Sequence, residues 1–356
     1  MGTMYVHTLG DSTLDNVYWM INSEGNNIQE AEGDSVEGQL QACLNSEGGS
    51  YTVVSQAYDG FTTESVLNGD YIGRVLPTYP YPEQKQGYFE SKNVFSPSER
   101  FVRPLNKLKE SVSQHPEAIH YVIMSVGGND FRERLYNPIG MLLEIPNIHE
   151  RYLRIVNELQ NIKERDIRPI LMFQYRTDAK NDPYGIYTVL KIVGILATII
   201  HVLCIATVAV AGIAAIAGKI NAWVGFAFVA IGGIFLALAT QIIPLKVTAN
   251  ILYGQEIGMA ALGGLMETFY QPILARAKKE GIPILDLPNT FNPYKKLYKS
   301  GIEPNKDGGT LIAEGLRYII KNHDFSSKKS MVYSKKDSEA EYTASENPGP
   351  GGWQVV

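Results

Sequence analysis

Two uncharged apolar runs interrupt an otherwise regular alternation of short hydrophobic segments and amphipathic ones. Residues 192–218 and 220–245 contain no Asp, Glu, Lys or Arg, and Lys219 alone separates them. Each run exceeds the roughly 20 apolar residues needed to cross a bilayer. The first is rich in Ala, Gly, Val and Ile, and the second opens on Trp223, an aromatic suited to the membrane–water interface. A soluble helix of such length would keep a polar face. The pattern therefore predicts a transmembrane helical hairpin over 191–245, its short turn at Lys219 and Asn221 returning both ends to one side. Arg176, Lys180, Lys191 and Lys246 flank the base against one lysine at the tip, a bias that places the rest of the chain on the cytoplasmic side. His201 and Cys204 fall inside the first span and read as packed residues rather than a relay.

Outside the hairpin, segments 4–9, 51–55, 120–126, 169–173 and 282–287 are short and apolar or β-branched, which predicts strands. Between them, 36–44 behind a Ser35 cap, 101–112, 148–162, 256–279 and 309–321 carry helical spacing. Strand–helix alternation favours a parallel sheet covered by helices on both faces, with reactive groups at the carboxyl ends of the strands. Residues 1–190 and 246–325 then form one discontinuous domain. Residues 326–356, dominated by Ser, Lys, Glu, Gly and Pro, read as a disordered tail. The Tyr- and Pro-rich segment 71–101 is too long for a plain connection and is either a lid over a binding site or an inert surface excursion.

Charge and composition narrow the partners. A net charge of −5 with interspersed signs offers no clustered basic surface for nucleic acid. Cys43 and Cys204, the two cysteines, belong to no cluster of cysteines and histidines, so neither a disulfide framework nor a zinc site is expected. No basic segment followed by an apolar one opens the chain, which predicts no cleavable signal peptide. Val6 occupies the position where a myristoylation signal at Gly2 wants Ser or Thr.

Candidate chemistry lies at three strand ends. Gly10-Asp11-Ser12 follows the first, with a hydroxyl placed to enter the crevice above the sheet. Gly60, in Asp59-Gly60-Phe61, follows the second. Gly127-Gly128-Asn129-Asp130 follows the third. A hydroxyl nucleophile, a bare backbone N–H and a side-chain amide are the parts an acyl-transfer site needs, because the tetrahedral intermediate requires attack on carbon and preorganised donors for its oxyanion.

These three segments resemble the first sequence blocks of the SGNH hydrolase (GDSL esterase/lipase) family, and the resemblance runs from about residue 4 to 323 once the hairpin is removed. It implies an α/β fold of the flavodoxin-like three-layer α/β/α type with a parallel sheet, here carrying an inserted transmembrane hairpin. It implies Ser12 as nucleophile and an oxyanion hole made by the Ser12 and Gly60 backbone N–H groups and the Asn129 side chain, supported by Asp11, Gly128 and Asp130. Neither a metal nor an organic cofactor is implied.

The last block departs from the family pattern. Where relatives carry Asp-x-x-His-Pro, this chain has Ser300-Gly301-Ile302-Glu303-Pro304, so Glu303 occupies the place of the general base and Ser300 that of its orienting acid. An unperturbed carboxylate is about two pKa units less basic than imidazole, a deficit that desolvation can recover. Three readings follow: a Ser12–Glu303 dyad, a histidine recruited from elsewhere, or a scaffold that binds without turnover. His7 and His323 lie too far from the motif, and His115, His120 and His149 read as surface residues. The polar segment 175–185, with Arg176 and Asp182, either meets substrate or simply positions the hairpin.

The expected protein is a membrane-anchored serine ester hydrolase whose substrate is a small-molecule or lipid acyl ester. The competing readings are an inert ligand-binding protein of the same fold and a membrane-shaping protein in which the hairpin is the active part.

Overall fold

A computed structural model describes residues 3–21, 28–46, 48–75, 84–134, 137–162, 166–174, 186–242, 244–254, 257–291, 296–300, 302–335 and 341–346. Its strands are β1 (Met4–Gly10), β2 (Tyr51–Ala57), β3 (Asp70–Tyr71), β4 (Phe101–Val102), β5 (Ile119–Ser125), β6 (Asp166–Phe173), β7 (Ile284–Asp286), β8 (Val332–Ser334) and β9 (Thr343–Ser345). Seven of them form one sheet in the order β2-β1-β5-β6-β7-β8-β9, and β3 pairs with β4 as a separate antiparallel ribbon. All pairings in the large sheet are parallel except β8 with β9. With the ribbon set aside, the first five sheet strands follow the doubly wound order 2-1-3-4-5, so the fold is the α/β sandwich expected from the alternation.

Side-chain alternation divides the core into two layers. In β5, Val122 and Met124 point to one face and pack against the helices Pro104–Gln114, Pro138–Gln160 and Ile257–Glu280. Tyr121 and Ile123 point to the other, against Val36–Asn45 and Lys306–Asn322. Period-two placement on a doubly covered sheet is why these strands read as continuous hydrophobic runs. Ser35 caps its helix by accepting from the Gly38 N–H, as its sequence position implied.

Several boundaries differ from expectation. The segment 101–112 divides into β4 and a helix that begins at Pro104, because proline suits the first helical turn, where no N–H partner is needed. The helix anticipated at 148–162 starts ten residues earlier, at Pro138 behind an Asn137 cap, and continues through Pro146. An additional helix, Leu245–Leu252, follows the hairpin.

The described residues of the tail depart from the expected disorder. Residues 332–334 add a parallel strand beside β7, and 343–345 pair back onto it. Polar composition hid the apolar anchors Val332, buried on the face of the Ile257–Glu280 helix, and Tyr333 and Tyr342, buried against the final helix.

The apolar runs form helices Ile186–Ile216 and Ala222–Ile242, packed against each other. Both are long and apolar enough to cross a membrane, and only 11% of the most apolar window of each is buried inside the protein. Small residues allow close approach: a side chain at Gly225 would meet Ala215, and one at Gly232 would meet Val208. The first helix begins at 186 rather than 191, so its base belongs to the α/β domain. There Val193 and Ala197 pack on Val247 and Ala260, and His201 hydrogen-bonds Thr248 at 2.7 Å, which gives this polar residue its partner.

The described part of 71–101 is a packed excursion. Tyr88 is fully buried with Trp19, Phe61 and Val102, and its hydroxyl donates to Asp15 at 2.8 Å. Residues 76–83 of that segment, and the loop 175–185 with Arg176 and Asp182, lie outside the described residues.

Candidate active site

β1 ends at Gly10 with φ +150°, where an added Cβ would lie 1.7 Å from the Ser125 carbonyl oxygen. Only glycine permits that close approach of β1 to β5. The chain then turns, Leu14 and Asp15 donating to the Asp11 carbonyl, and Ser12 comes to rest in the crevice at the carboxyl end of the sheet. Its Oγ donates to Glu303 Oε1 at 3.0 Å across 291 residues of sequence.

Backbone contacts hold Glu303 in place. Tyr298 and Pro304 form a bridge, Lys299 N–H donates to the Glu303 carbonyl at 2.8 Å, and Asn305 N–H donates to Leu297 at 2.9 Å before capping the final helix. Asn16 links this turn to the first motif: its Nδ2 donates to the Pro304 carbonyl at 3.2 Å while its Oδ1 accepts from Val36 N–H at 2.8 Å. Sequence reading gave Asn16 no role; its signal was a polar residue one helical turn beyond Ser12, and it is fully buried. Asn16→Ala is expected to leave two buried backbone groups unpaired, lower stability by roughly 2–4 kcal/mol and loosen Glu303. Thermal unfolding of the purified protein checks the first effect, and the reactivity of Ser12 toward a fluorophosphonate the second.

Asn129 Nδ2 donates to the Phe61 carbonyl at 3.1 Å. An amide nitrogen carries two N–H groups, so the second is available to a ligand. Asp130 lies behind it, accepting from Thr63 N–H at 2.8 Å, Thr63 Oγ1 at 2.6 Å and Arg151 at 3.1 Å. Those bonds lock the loop after β2 to the loop after β5. Gly60 has φ +82° in this region, one residue before the carbonyl that Asn129 engages, and an added Cβ would collide with Val75. Ser12, Asn129, Glu303, Asp11 and Gly128 line one cavity; Gly60, Asp130 and Pro304 are outside its lining and act on the loops that shape it.

Gln174, directly after β6, was also missed. Its Nε2 donates to Asp11 Oδ2 at 2.6 Å, its backbone N–H donates to the Tyr270 hydroxyl at 2.8 Å, and it lines the same cavity. The rule that ligands gather at the carboxyl ends of parallel strands could have found it.

Electrostatics set the carboxyl groups apart from ordinary ones. Glu303 is fully buried, and desolvation, reinforced by the nearby Asp59 charge, pushes its pKa well above the usual carboxylate range; Arg132 and the Ser12 hydrogen bond oppose the shift. Its Oε2 has no hydrogen-bond partner among the described residues. Desolvation likewise raises Asp11 to about 7, against bonds from Thr13 and Gln174. Ser300, placed by the resemblance where an orienting acid belongs, contributes no such bond: its Oγ is buried without a partner among the described residues.

Among the described residues, no histidine lines the cavity. His7 and His120 hydrogen-bond each other at 3.0 Å, and His120 also contacts the His115 carbonyl. Burial and the His120 ring lower His7 to about 4. The surface reading thus fails for His120, which is fully buried, and for His149, half-buried with its ring on the Phe269 carbonyl at 2.7 Å. His323 contacts the Tyr333 hydroxyl. The recruited-histidine alternative finds no candidate among them.

No protein-family model and no curated protein sequence matches the chain. Solved structures similar to it include a provisionally named arylesterase of Agrobacterium tumefaciens, at 11% identity and a TM-score of 0.43, covering 90% of this chain and 99% of the other. The aryl esterase of M. smegmatis is similar at 11% identity and a TM-score of 0.41, with the same coverage.

Proposed function

We propose that the protein is a membrane-anchored serine ester hydrolase in which Glu303 takes the part usually played by histidine. The observation that carries this reading is the 3.0 Å hydrogen bond from Ser12 Oγ to a buried carboxylate, at the wall of a cavity that also receives Asn129. Ser12 Oγ attacks the ester carbonyl carbon as its proton passes to Glu303. The carbonyl oxygen becomes an oxyanion, met by the second N–H of Asn129 and by the backbone N–H of Ser12, while Gly60, outside the cavity lining, shapes the loop that Asn129 engages. Collapse expels the alcohol, which takes the proton from Glu303, and water then repeats the sequence on the acyl-serine.

The raised pKa makes this chemically reasonable, since a carboxylate with a higher pKa is a stronger base. Burial among backbone bonds replaces the acid that would orient a histidine. Two exposed apolar helices have no aqueous counterpart to pack on, which favours a bilayer as their surroundings. Lys191 and Lys246 at the base favour the cytoplasmic side for the catalytic domain. The substrate on this reading is an acyl ester, and the site uses no metal.

The test is labelling with a fluorophosphonate, which reacts with activated serines. In a carbonate-washed membrane fraction, the full-length protein should be labelled and the adduct should map to Ser12. A folded but unlabelled protein would favour an inert binding protein, and release by carbonate would remove the membrane anchor.

A further inference from the structure

The cavity beside Ser12 is not built by the α/β domain alone. Its volume is about 170 Å³, and its apolar wall combines Leu265, Met266 and Phe269 of the Ile257–Glu280 helix with Met141 and, from the hairpin's first helix, Val189 and Leu190. Leu190 is buried with Met141, Ile145, Ala261 and Leu265. Gly194, one turn further, lets this helix approach closely, since a side chain there would run into Ile257 and Ala261. The same unbroken helix continues from this wall into the apolar hairpin. From Leu190 to His201, where contact with Thr248 closes the clasp, is eleven residues, about 16 Å of helix.

Resting on the reading of Ser12 as nucleophile, we propose that Val189 and Leu190 of the membrane hairpin are specificity-determining residues, forming the far wall of an acyl pocket that admits a short aliphatic or benzene-sized acyl group. Volume sets the limit. An apolar cavity of about 150 Å³ accommodates benzene, and this one is of that size. A long fatty chain would require the Leu190 wall to move, and Leu190 is fixed by four buried neighbours. Ser12, Asn129 and Glu303 share the cavity lining with Val189 and Leu190, so a scissile carbonyl held at Ser12 leaves its acyl substituent among the apolar lining residues. Because the wall belongs to a helix that runs on into the apolar hairpin, the site is completed only when the hairpin is seated, and the chosen substrate is an ester carrying a small apolar acyl group at the membrane surface.

The experiment is a chain-length series of p-nitrophenyl esters, from acetate through butyrate to octanoate and decanoate. It uses the full-length protein in detergent micelles, with fluorophosphonate labelling of Ser12 run in parallel. Wild type should favour acetate and butyrate over octanoate. Leu190→Ala, which deepens the pocket, should raise the octanoate-to-butyrate ratio of kcat/KM by about tenfold or more. Val189→Trp, which fills it from the same wall, should lower the butyrate-to-acetate ratio by a similar factor, and carries the test if the alanine variant does not fold. Labelled, active variants with an unchanged chain-length profile overturn the proposal while leaving Ser12 as nucleophile. Absence of labelling in wild type removes the hydrolase reading and this inference with it.

Discussion

Ser12→Ala is expected to lower kcat/KM for any ester substrate by about 10⁴-fold or more while leaving the fold intact. Nucleophile removal in serine hydrolases of this logic leaves only the residual catalysis of oxyanion donors and binding. The hydroxyl donates to Glu303, and the loss of that one bond costs on the order of 1 kcal/mol or less of stability. Equal thermal unfolding profiles with activity reduced to background identify a chemical defect. A variant retaining a tenth of wild-type turnover would show that another group attacks the ester.

Glu303→Gln should separate activity from stability in opposite directions. Gln keeps an oxygen to accept from Ser12 but cannot take its proton, so turnover should fall by about 10²- to 10⁴-fold, the usual contribution of a general base. In the wild type, the acid limb of the pH–rate profile should lie well above the ordinary carboxylate range, because desolvation holds the proton on Glu303. Activity therefore rises with pH as Glu303 ionises. Stability moves the other way. The unfolded chain releases this proton near the ordinary glutamate value of 4.5, whereas the folded chain keeps it to higher pH. Between those values the folded state binds more protons, so stability declines as pH rises. Asp11, raised to about 7 by the same burial, adds to that decline. The substituted amide has nothing to ionise, and the Glu303→Gln protein should gain in melting temperature relative to wild type as the medium is made more alkaline. A variant less stable than wild type at every pH would mean that the carboxylate is held by attraction rather than against desolvation, and the account of its basicity would fail with it.

Both expectations trace to one physical circumstance: a carboxylate is kept in a dry site next to a hydroxyl because its turn is anchored from behind. Asn16 and the Tyr298–Pro304 bridge do the anchoring. The cost of burying the charge is the source of its strength as a base. Functional sites commonly retain such locally unfavourable groups because the surrounding structure holds them there.

The sheet and the hairpin were legible in the order of residues alone. Parallel strands buried on both faces must be continuous runs of apolar side chains, and β1, β5 and β6 were visible for that reason. The long charge-free runs declared the paired helices equally directly. Ser12, Gly60 and Asn129 could be picked out as candidates because ligands of this architecture gather at the carboxyl ends of strands, and Ser12 and Asn129 line one cavity whereas Gly60 lies outside its lining. What remained for the packed chain to settle was every relation between residues far apart along it. Polar composition concealed β8 and β9, whose few apolar anchors acquire meaning only beside β7. No local pattern could show that Gln174 reaches Asp11, that Asn16 holds Pro304, or that Glu303 lies within bonding distance of Ser12. Nor could composition reveal that the hairpin's first helix starts inside the α/β domain and closes its cavity. Local propensity and hydrophobic period are short-range signals, whereas burial, desolvation and shared walls exist only once distant segments have been packed together.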